Sequence, residues 1–393
     1  MRWIVVFSLT FSFHFLFSQQ VHIGLLRQFS IKQVSFSPFQ GNYVVKADSQ
    51  YVDSLIQGET IKVSMVSNNQ LKITKGERVI GTFSTLALVS LKANSNIKVL
   101  SISPAVKERK YRDNFTVFNA GNKLTVINDV SMQHYLGGVV ESEGGGNNPE
   151  EYYKVQAIIS RTYAVKNVNR HQKEGFQLCD GVHCQAYQSM LRFTPEIEDA
   201  VKGTKSLVLT DSTGKLIDAF FHANCGGQTS ESEYVWNQSL SYIHSFIDTF
   251  CVHTSQSTWV KRIPQADWKS YLVKEYGYPI QDSMYGSSIY NFTQNKRMPF
   301  YKDAILGIPL RDLRTKFNLK STFFSCHPEG DQVVLNGRGY GHGIGLCQEG
   351  AMNMAAHGFK YDQILKFYFS GAQLVLLENL HYFNQNVKSP FDF

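Results

Sequence analysis

The sequence predicts an α+β protein: a strand-rich N-terminal accessory region, then a mixed α/β domain. Three observations carry that prediction. Short runs of alternating apolar and polar residues fill the N-terminal part of the chain. Near residue 131 the apolar spacing lengthens to that of a helix. Beyond it, glycine-rich loops separate helical and strand-like segments. The composition narrows the class further. With 43% hydrophobic and 18% charged residues, a disordered, collagen-like or coiled-coil chain is excluded. The 393 residues suffice for two or three domains. Lys and Arg number 39 against 32 Asp and Glu, a diffuse excess that suits an acidic polymer or surface and does not point to nucleic acid. Six cysteines in so long a chain are no mini-protein disulfide framework.

The elements follow in chain order. Arg2 precedes an apolar run from Trp3 to Phe17 that closes on Ser18, the pattern of a secretory signal peptide over residues 1–18 with cleavage just after Ser18. The run is short for a bilayer span of about 20 residues, and no later stretch is long and apolar enough. An exported protein is expected, periplasmic or envelope-associated, with no stable membrane span once the signal is removed. Residues 19–107 hold strands such as Tyr43–Lys46, Thr60–Met65 and Leu71–Thr74, and no His/Cys cluster or phosphate loop. Residues 108–393 form the second domain. Phe115–Phe118 and Asn122–Asn128 read as a hairpin. Ser131 then caps a helix that carries Tyr135 and Leu136 towards Val140. Gly144-Gly145-Gly146 interrupts it. Asn148-Pro149-Glu150-Glu151 starts a second helix, with a capping Asn, a first-turn proline and acids at the positive end of the dipole. Tyr152, Val155, Ile159 and Thr162 continue it at helical spacing to about Asn167. Strand-like patterning returns over residues 201–223, and 259–319 shows no clear period. A glycine loop, Gly337–Gly345, feeds a helix Gln348–His357 that Gly358 ends.

Four segments carry the chemistry. They are Tyr135-Leu136-Gly137-Gly138-Val139-Val140-Glu141-Ser142-Glu143; Lys154 to Ala164, with Arg161 and Tyr163; Cys225-Gly226-Gly227-Gln228-Thr229, followed by Val235-Trp236; and Gly337 to Met352, with His342 between two glycines. Their order and wording resemble the stage II sporulation protein D / LytB family of peptidoglycan-cleaving proteins, over roughly Asn114 to Gly371. The resemblance implies a lytic transglycosylase acting on glycan strands stripped of their peptide stems, with Glu143 as the catalytic acid and a cell-wall amidase as a partner. Where family members often have Met-Pro after that glutamate, this chain has Gly144-Gly145.

The residues agree with a single-acid mechanism. An ordinary glycosidase sets two carboxyl groups on opposite sides of the scissile bond. Glu141 and Glu143 are two apart: they diverge on a helix and sit side by side on a strand, so neither geometry flanks one bond. A transglycosylase uses the sugar's own 6-hydroxyl as nucleophile and needs one glutamate, its proton held by an apolar pocket. Tyr135, Val139, Val140 and Tyr163 are candidates to line it. Arg161 and Tyr163 are candidates to bind sugar or to hold Glu143, or else core and charge neutralisation. Gln228 and Thr229 are candidate groove donors on a turn that needs its glycines anyway. His342 is a candidate for sugar or acid contact, or a brace for the helix that follows.

His171, Cys179 and Cys184 are candidate zinc ligands, a set that some members of the family carry, with His183 the less natural fourth. Zinc there is expected to be structural. A Cys179–Cys184 disulfide or two buried thiols are the competing readings. Cys225 with Cys251, and Cys326 with Cys347, are possible pairs. At the level of the whole protein, the rivals to a lytic enzyme are a non-catalytic glycan-binding scaffold and a zinc hydrolase. The latter is disfavoured because two thiolates weaken zinc as a Lewis acid.

Overall fold

The computed structural model describes residues 20–66 and 69–380. The expected signal peptide lies outside the described residues. The chain is α+β, with its strands concentrated towards the N-terminus. Two compact units divide the described residues: 20–23 with 30–135, and 24–29 with 136–380.

The first unit is built from antiparallel strands whose alternation buries every second side chain. In Ile61–Met65, Ile61 and Val63 are fully buried while Lys62 between them is exposed. One set of neighbours runs Leu124–Ser131, Asn114–Asn119, Thr85–Ser90, Tyr43–Ala47 and Gln50–Leu55. A second runs Arg109–Arg112, Asn96–Ser103, Gln33–Gln40, Ile61–Met65, Leu71–Lys75 and Arg78–Phe83. The Phe36 ring of the second packs 5.6 Å from the Phe115 ring of the first, so the core lies between them. The predicted hairpin is present, Asn114–Asn119 pairing with Leu124–Ser131.

Helix α1 spans Met132–Gly144, and Ser131 Oγ accepts the His134 N–H at 3.2 Å, the predicted cap. The helix runs past Val140 to Gly144, where the glycine run interrupts it, so Glu141 and Glu143 both lie on it. Helix α2 spans Glu150–Lys166 with Asn167 as its C-cap. Pro149, not Asn148, takes the N-cap position, and the Asn148 amide donates instead to the carbonyls of Gly144 and Gly146. The glycine loop is thereby closed on itself, which a proline directly after the asparagine favours by holding that residue extended.

In the second unit α2 packs on α3 (Glu196–Gly203), on strand Leu207–Thr210 and on the helices Gln348–Ala356 and Tyr361–Tyr368. Residues 201–223 hold less strand than their pattern predicts: Val201 ends in α3, and only Leu207–Thr210 and Phe221–His222 are extended. Residues 259–319, aperiodic in sequence, are ordered around buried Trp268, whose ring stacks on Phe317 at 5.1 Å and meets Tyr301 at 5.6 Å. A three-stranded antiparallel sheet of Thr258–Pro264, Gln332–Arg338 and Phe324–Glu329 carries that cluster. The helix Gln348–Ala356 ends as predicted, with Gly358 at φ +89°.

Candidate active site

Helical period sends the two acids of α1 apart. Glu141 Oε1 accepts the backbone N–H groups of Phe193 at 2.8 Å and Thr194 at 3.1 Å, which spends it on shaping that turn. Glu143 Oε1 accepts one backbone N–H, from Ala186 at 2.6 Å. Gly138, one and a half turns earlier on α1, makes this approach possible: a Cβ there would stand 2.3 Å from the Ser189 carbonyl oxygen. Burial pushes the Glu143 carboxyl above its ordinary value of 4.5, and the Ala186 hydrogen bond only partly opposes it.

Behind the acid lies a buried polar network. Gln348 Nε2 donates to the Glu143 carbonyl at 3.3 Å and to Gln156 Oε1 at 3.3 Å, and lies 3.4 Å from the Tyr152 hydroxyl. The first, second and fourth sequence segments therefore meet at Glu143. In front of it opens a cleft of about 560 Å³, whose walls include Tyr163, His183, Asp218, Phe220, Trp236 and His342. Trp236, 42% exposed, stacks on Phe220 at 4.2 Å between ring centres, presenting an aromatic surface. Asp218 is a second carboxylate on the cleft, but its Oδ2 is 2.8 Å from Lys166 Nζ and accepts the Tyr242 hydroxyl at 3.4 Å.

The predicted substrate residues divide. Tyr163 lines the cleft, its hydroxyl donating to the His183 carbonyl at 3.4 Å. His342 also lines it, held by an Ile344 N–H donated to Nδ1 at 3.0 Å and by a backbone hydrogen bond with Phe221. Packing against Trp236 and His222 encloses the ring, and burial pushes it down to about 3, so it is neutral near pH 7. The glycines around it are needed for backbone approach: Gly345 has φ +69°, and a Cβ there would meet the Phe220 carbonyl oxygen at 2.3 Å.

Arg161, Gln228 and Thr229 are not among the residues that line the cleft. Arg161 is buried and donates to the carbonyls of Leu207 at 3.1 Å and Val201 at 3.3 Å, tying α2 to the strand and helix beside it. Gln228 is held by Ser245 and by the Arg297 N–H. Thr229 is buried, donating to the His244 carbonyl and accepting the Phe246 N–H. On a tight turn, short polar side chains are consumed by nearby backbone groups.

The His/Cys run after α2 brings four side chains together, His183 among them. One ligand atom from each of His171, Cys179, His183 and Cys184 lies within 4.8 Å of the others. Cys184 Sγ is 3.4 Å from His171 Nε2, and each sulfur is 3.9 Å from His183 Nδ1. In a tetrahedral zinc site with bonds of about 2.0–2.3 Å, ligand atoms stand about 3.3–3.8 Å apart, so the donor set fits. His171 Nδ1 is bonded to Glu174 Oε1 at 2.6 Å, and Arg27 grips Glu174 at 2.9 Å. That outer carboxylate aims Nε2 at the sulfurs. Cys179 and Cys184 are both free thiols. His183, adjacent to Cys184 and set aside by sequence spacing, points its ring at both sulfurs because the intervening loop turns back.

Of the two other cysteine pairs, Cys225 and Cys251 are adjacent and Cys326 and Cys347 are not. Cys225 Sγ lies 3.2 Å from Cys251 Sγ, and Cys347 joins these two, not Cys326. Cys326 lies on the three-stranded sheet, 3.8 Å from the Tyr301 hydroxyl. The Ala186 N–H, Asp218 and Phe220 carry no motif in the sequence, whereas Gln348 lies within the fourth segment and Trp236 beside the Cys-Gly-Gly-Gln-Thr turn.

A family model described as stage II sporulation protein matches residues 120–210. Stage II sporulation protein D of Bacillus subtilis is 28% identical over 269 residues, covering 63% of this chain and 75% of that protein. An uncharacterised protein of Brachyspira hyodysenteriae is 27% identical over 256 residues, covering 64% and 68%. The amidase enhancer of Bacillus subtilis is 27% identical over 290 residues, covering 61% of this chain and 40% of that protein. The matched segment contains Glu143, Tyr163 and the His/Cys cluster, and in it the chain is similar to the family that its motifs resemble.

Proposed function

We propose that the protein cleaves the glycan strands of peptidoglycan as a lytic transglycosylase, outside the cytoplasm, with Glu143 acting in turn as acid and base. The observation that supports this most is the state of Glu143: a carboxyl on the wall of an open cleft, pushed towards its protonated form by burial and held by one backbone N–H. Its proton passes to the bridging oxygen as the C1–O bond breaks. The 6-hydroxyl of the same muramic residue then closes on C1 and returns its proton to Glu143, so no water is consumed and the product carries a 1,6-anhydro end. Asp218 is engaged by Lys166, which fits a mechanism that asks for no second acid. Trp236 offers a stacking face for a sugar ring, and Tyr163 and neutral His342 flank the acid's cleft.

His171, Cys179, His183 and Cys184 would hold zinc. Four protein ligands leave no open position, so such a zinc supplies folding energy and not a nucleophile. Its place is mechanical: Cys184 stands two residues before Ala186, whose N–H holds Glu143.

Digests of peptide-stripped and intact sacculi, analysed by mass spectrometry in ¹⁸O-water, test the reading. Anhydro ends without ¹⁸O from wild type, and none from Glu143→Gln, are expected. Reducing ends that carry ¹⁸O would replace it with hydrolysis. The similarity to a protein named amidase enhancer favours a second role beside the first, stimulation of a cell-wall amidase whose stripped strands this cleft would take. Amidase turnover that rises equally with wild type and Glu143→Gln would separate that role from cleavage.

A further inference from the structure

A second four-ligand cluster stands apart from the His171 group. One ligand atom each from Cys225, Asp248, Cys251 and Cys347 lies within 4.8 Å of the others, and all four residues are fully buried. We propose that these residues bind a zinc ion, a structural site that fastens the Cys225-Gly226-Gly227 turn and the 248–251 loop to the start of helix Gln348–Ala356.

The donor chemistry favours a metal over a disulfide. A Cys225–Cys251 bond would use two sulfurs, which now lie 3.2 Å apart, and leave a third thiol and a carboxylate buried against it. A zinc ion uses all four groups, and thiolates with one carboxylate are donors it accepts. The surrounding hydrogen bonds are those of an outer shell. Cys347 Sγ accepts the N–H groups of Cys225 at 3.3 Å and of Gly350 at 3.4 Å, the latter at a helix N-terminus where a thiolate is favoured. Asp248 Oδ2 accepts the Tyr368 hydroxyl at 2.9 Å, and Oδ1 accepts the Phe250 N–H at 3.0 Å. Gly350 is crowded by the cluster: a Cβ there would stand 2.8 Å from Asp248 Oδ2 and 3.3 Å from Cys347 Sγ.

Charge supplies an independent argument. Arg297 is buried and donates to the carbonyls of Cys225 and Gln228 at 2.7 Å and to Thr322 Oγ1 at 3.3 Å. Among the described residues no carboxylate accepts from it. A buried guanidinium needs counter-charge. A divalent ion with three thiolates and one carboxylate leaves two negative charges beside Cys225, one of which Arg297 offsets.

The test uses the full chain, reduced and then loaded with zinc alone, with bound metal counted by native mass spectrometry. Cys347→Ser is expected to carry one zinc fewer than wild type, whatever the His171 cluster holds, and His171→Ala/Cys184→Ser is expected to keep a zinc whose X-ray absorption shows three sulfur neighbours at about 2.3 Å and one oxygen. Equal zinc in wild type and Cys347→Ser overturns the proposal, as does a double variant that folds without zinc. Should either variant fail to fold, a non-reducing peptide map of wild type as isolated decides. Three unlinked cysteines with metal bound support the site, and a Cys225–Cys251 disulfide overturns it.

Discussion

Replacing Glu143 two ways separates its chemistry from its place in the fold. The glutamine of Glu143→Gln keeps an oxygen for the Ala186 N–H, 2.6 Å from Glu143 Oε1, and removes only the transferable proton. Losing a general acid and base costs about 10²–10⁴-fold in rate, or about 3–5 kcal/mol of transition-state stabilisation. Glu143→Ala loses the proton and also strands the Ala186 N–H on a buried residue, adding about 1–3 kcal/mol of instability. The sign of the pH dependence follows from the raised carboxyl. In the unfolded chain Glu143 ionises at 4.5, in the folded chain higher, so wild-type stability falls as pH rises through that interval. Glu143→Gln removes that slope, and its stability near neutrality equals or exceeds wild type. Release of anhydro-ended fragments gives the rate, and urea titration at pH 4 and pH 7 gives the stability. Activity within tenfold of wild type in a folded Glu143→Gln would refute the role given to this carboxyl.

Four further outcomes are expected. Asp218→Asn should keep cleavage within a few-fold, whereas a loss beyond about a hundredfold would make it a second catalytic carboxyl, read by the same fragment assay. Arg161→Lys should lower stability by about 1–3 kcal/mol, because a single ammonium does not reproduce a fork that reaches the Leu207 and Val201 carbonyls, while glycan affinity of the folded protein is unchanged. His342 is pushed down to about 3, so wild type loses stability as pH falls from about 6.5 towards 3, at about 1.4 kcal/mol per pH unit for one proton, and acid titration of His342→Asn should be shallower by that proton. Cys184→Ser should lower the melting temperature and remove the share of zinc-dependent stabilisation that the His171 cluster supplies, with cleavage by the folded fraction reduced through the Ala186 N–H; calorimetry with and without zinc reads the first and fragment release the second.

Local periodicity made much of the framework legible. Strands such as Ile61–Met65 announce themselves by alternation, and α2 by its proline, acids and apolar spacing. Where structure departs from these readings, a neighbour in space decides. Asn148 closes the glycine loop because Pro149 occupies the cap position, and residues 259–319 order around single aromatics that no short window connects.

The sequence by itself determined the chemical cast: two glutamates after a Gly-Gly-Val-Val run, a His/Cys run dense enough to bind a metal, and a glycine loop before the last long motif. Only the tertiary structure decided who acts with whom. It sends Glu141 to the turn at Phe193 and Glu143 into the cleft, buries Arg161 behind α2, turns His183 onto two sulfurs, and joins Cys347 to Cys225 and Cys251 from a distant stretch of the chain. The physical reason is reach. Spacing fixes which residues share a face over a few turns, whereas desolvation and ligand geometry depend on groups brought together from distant parts of the chain.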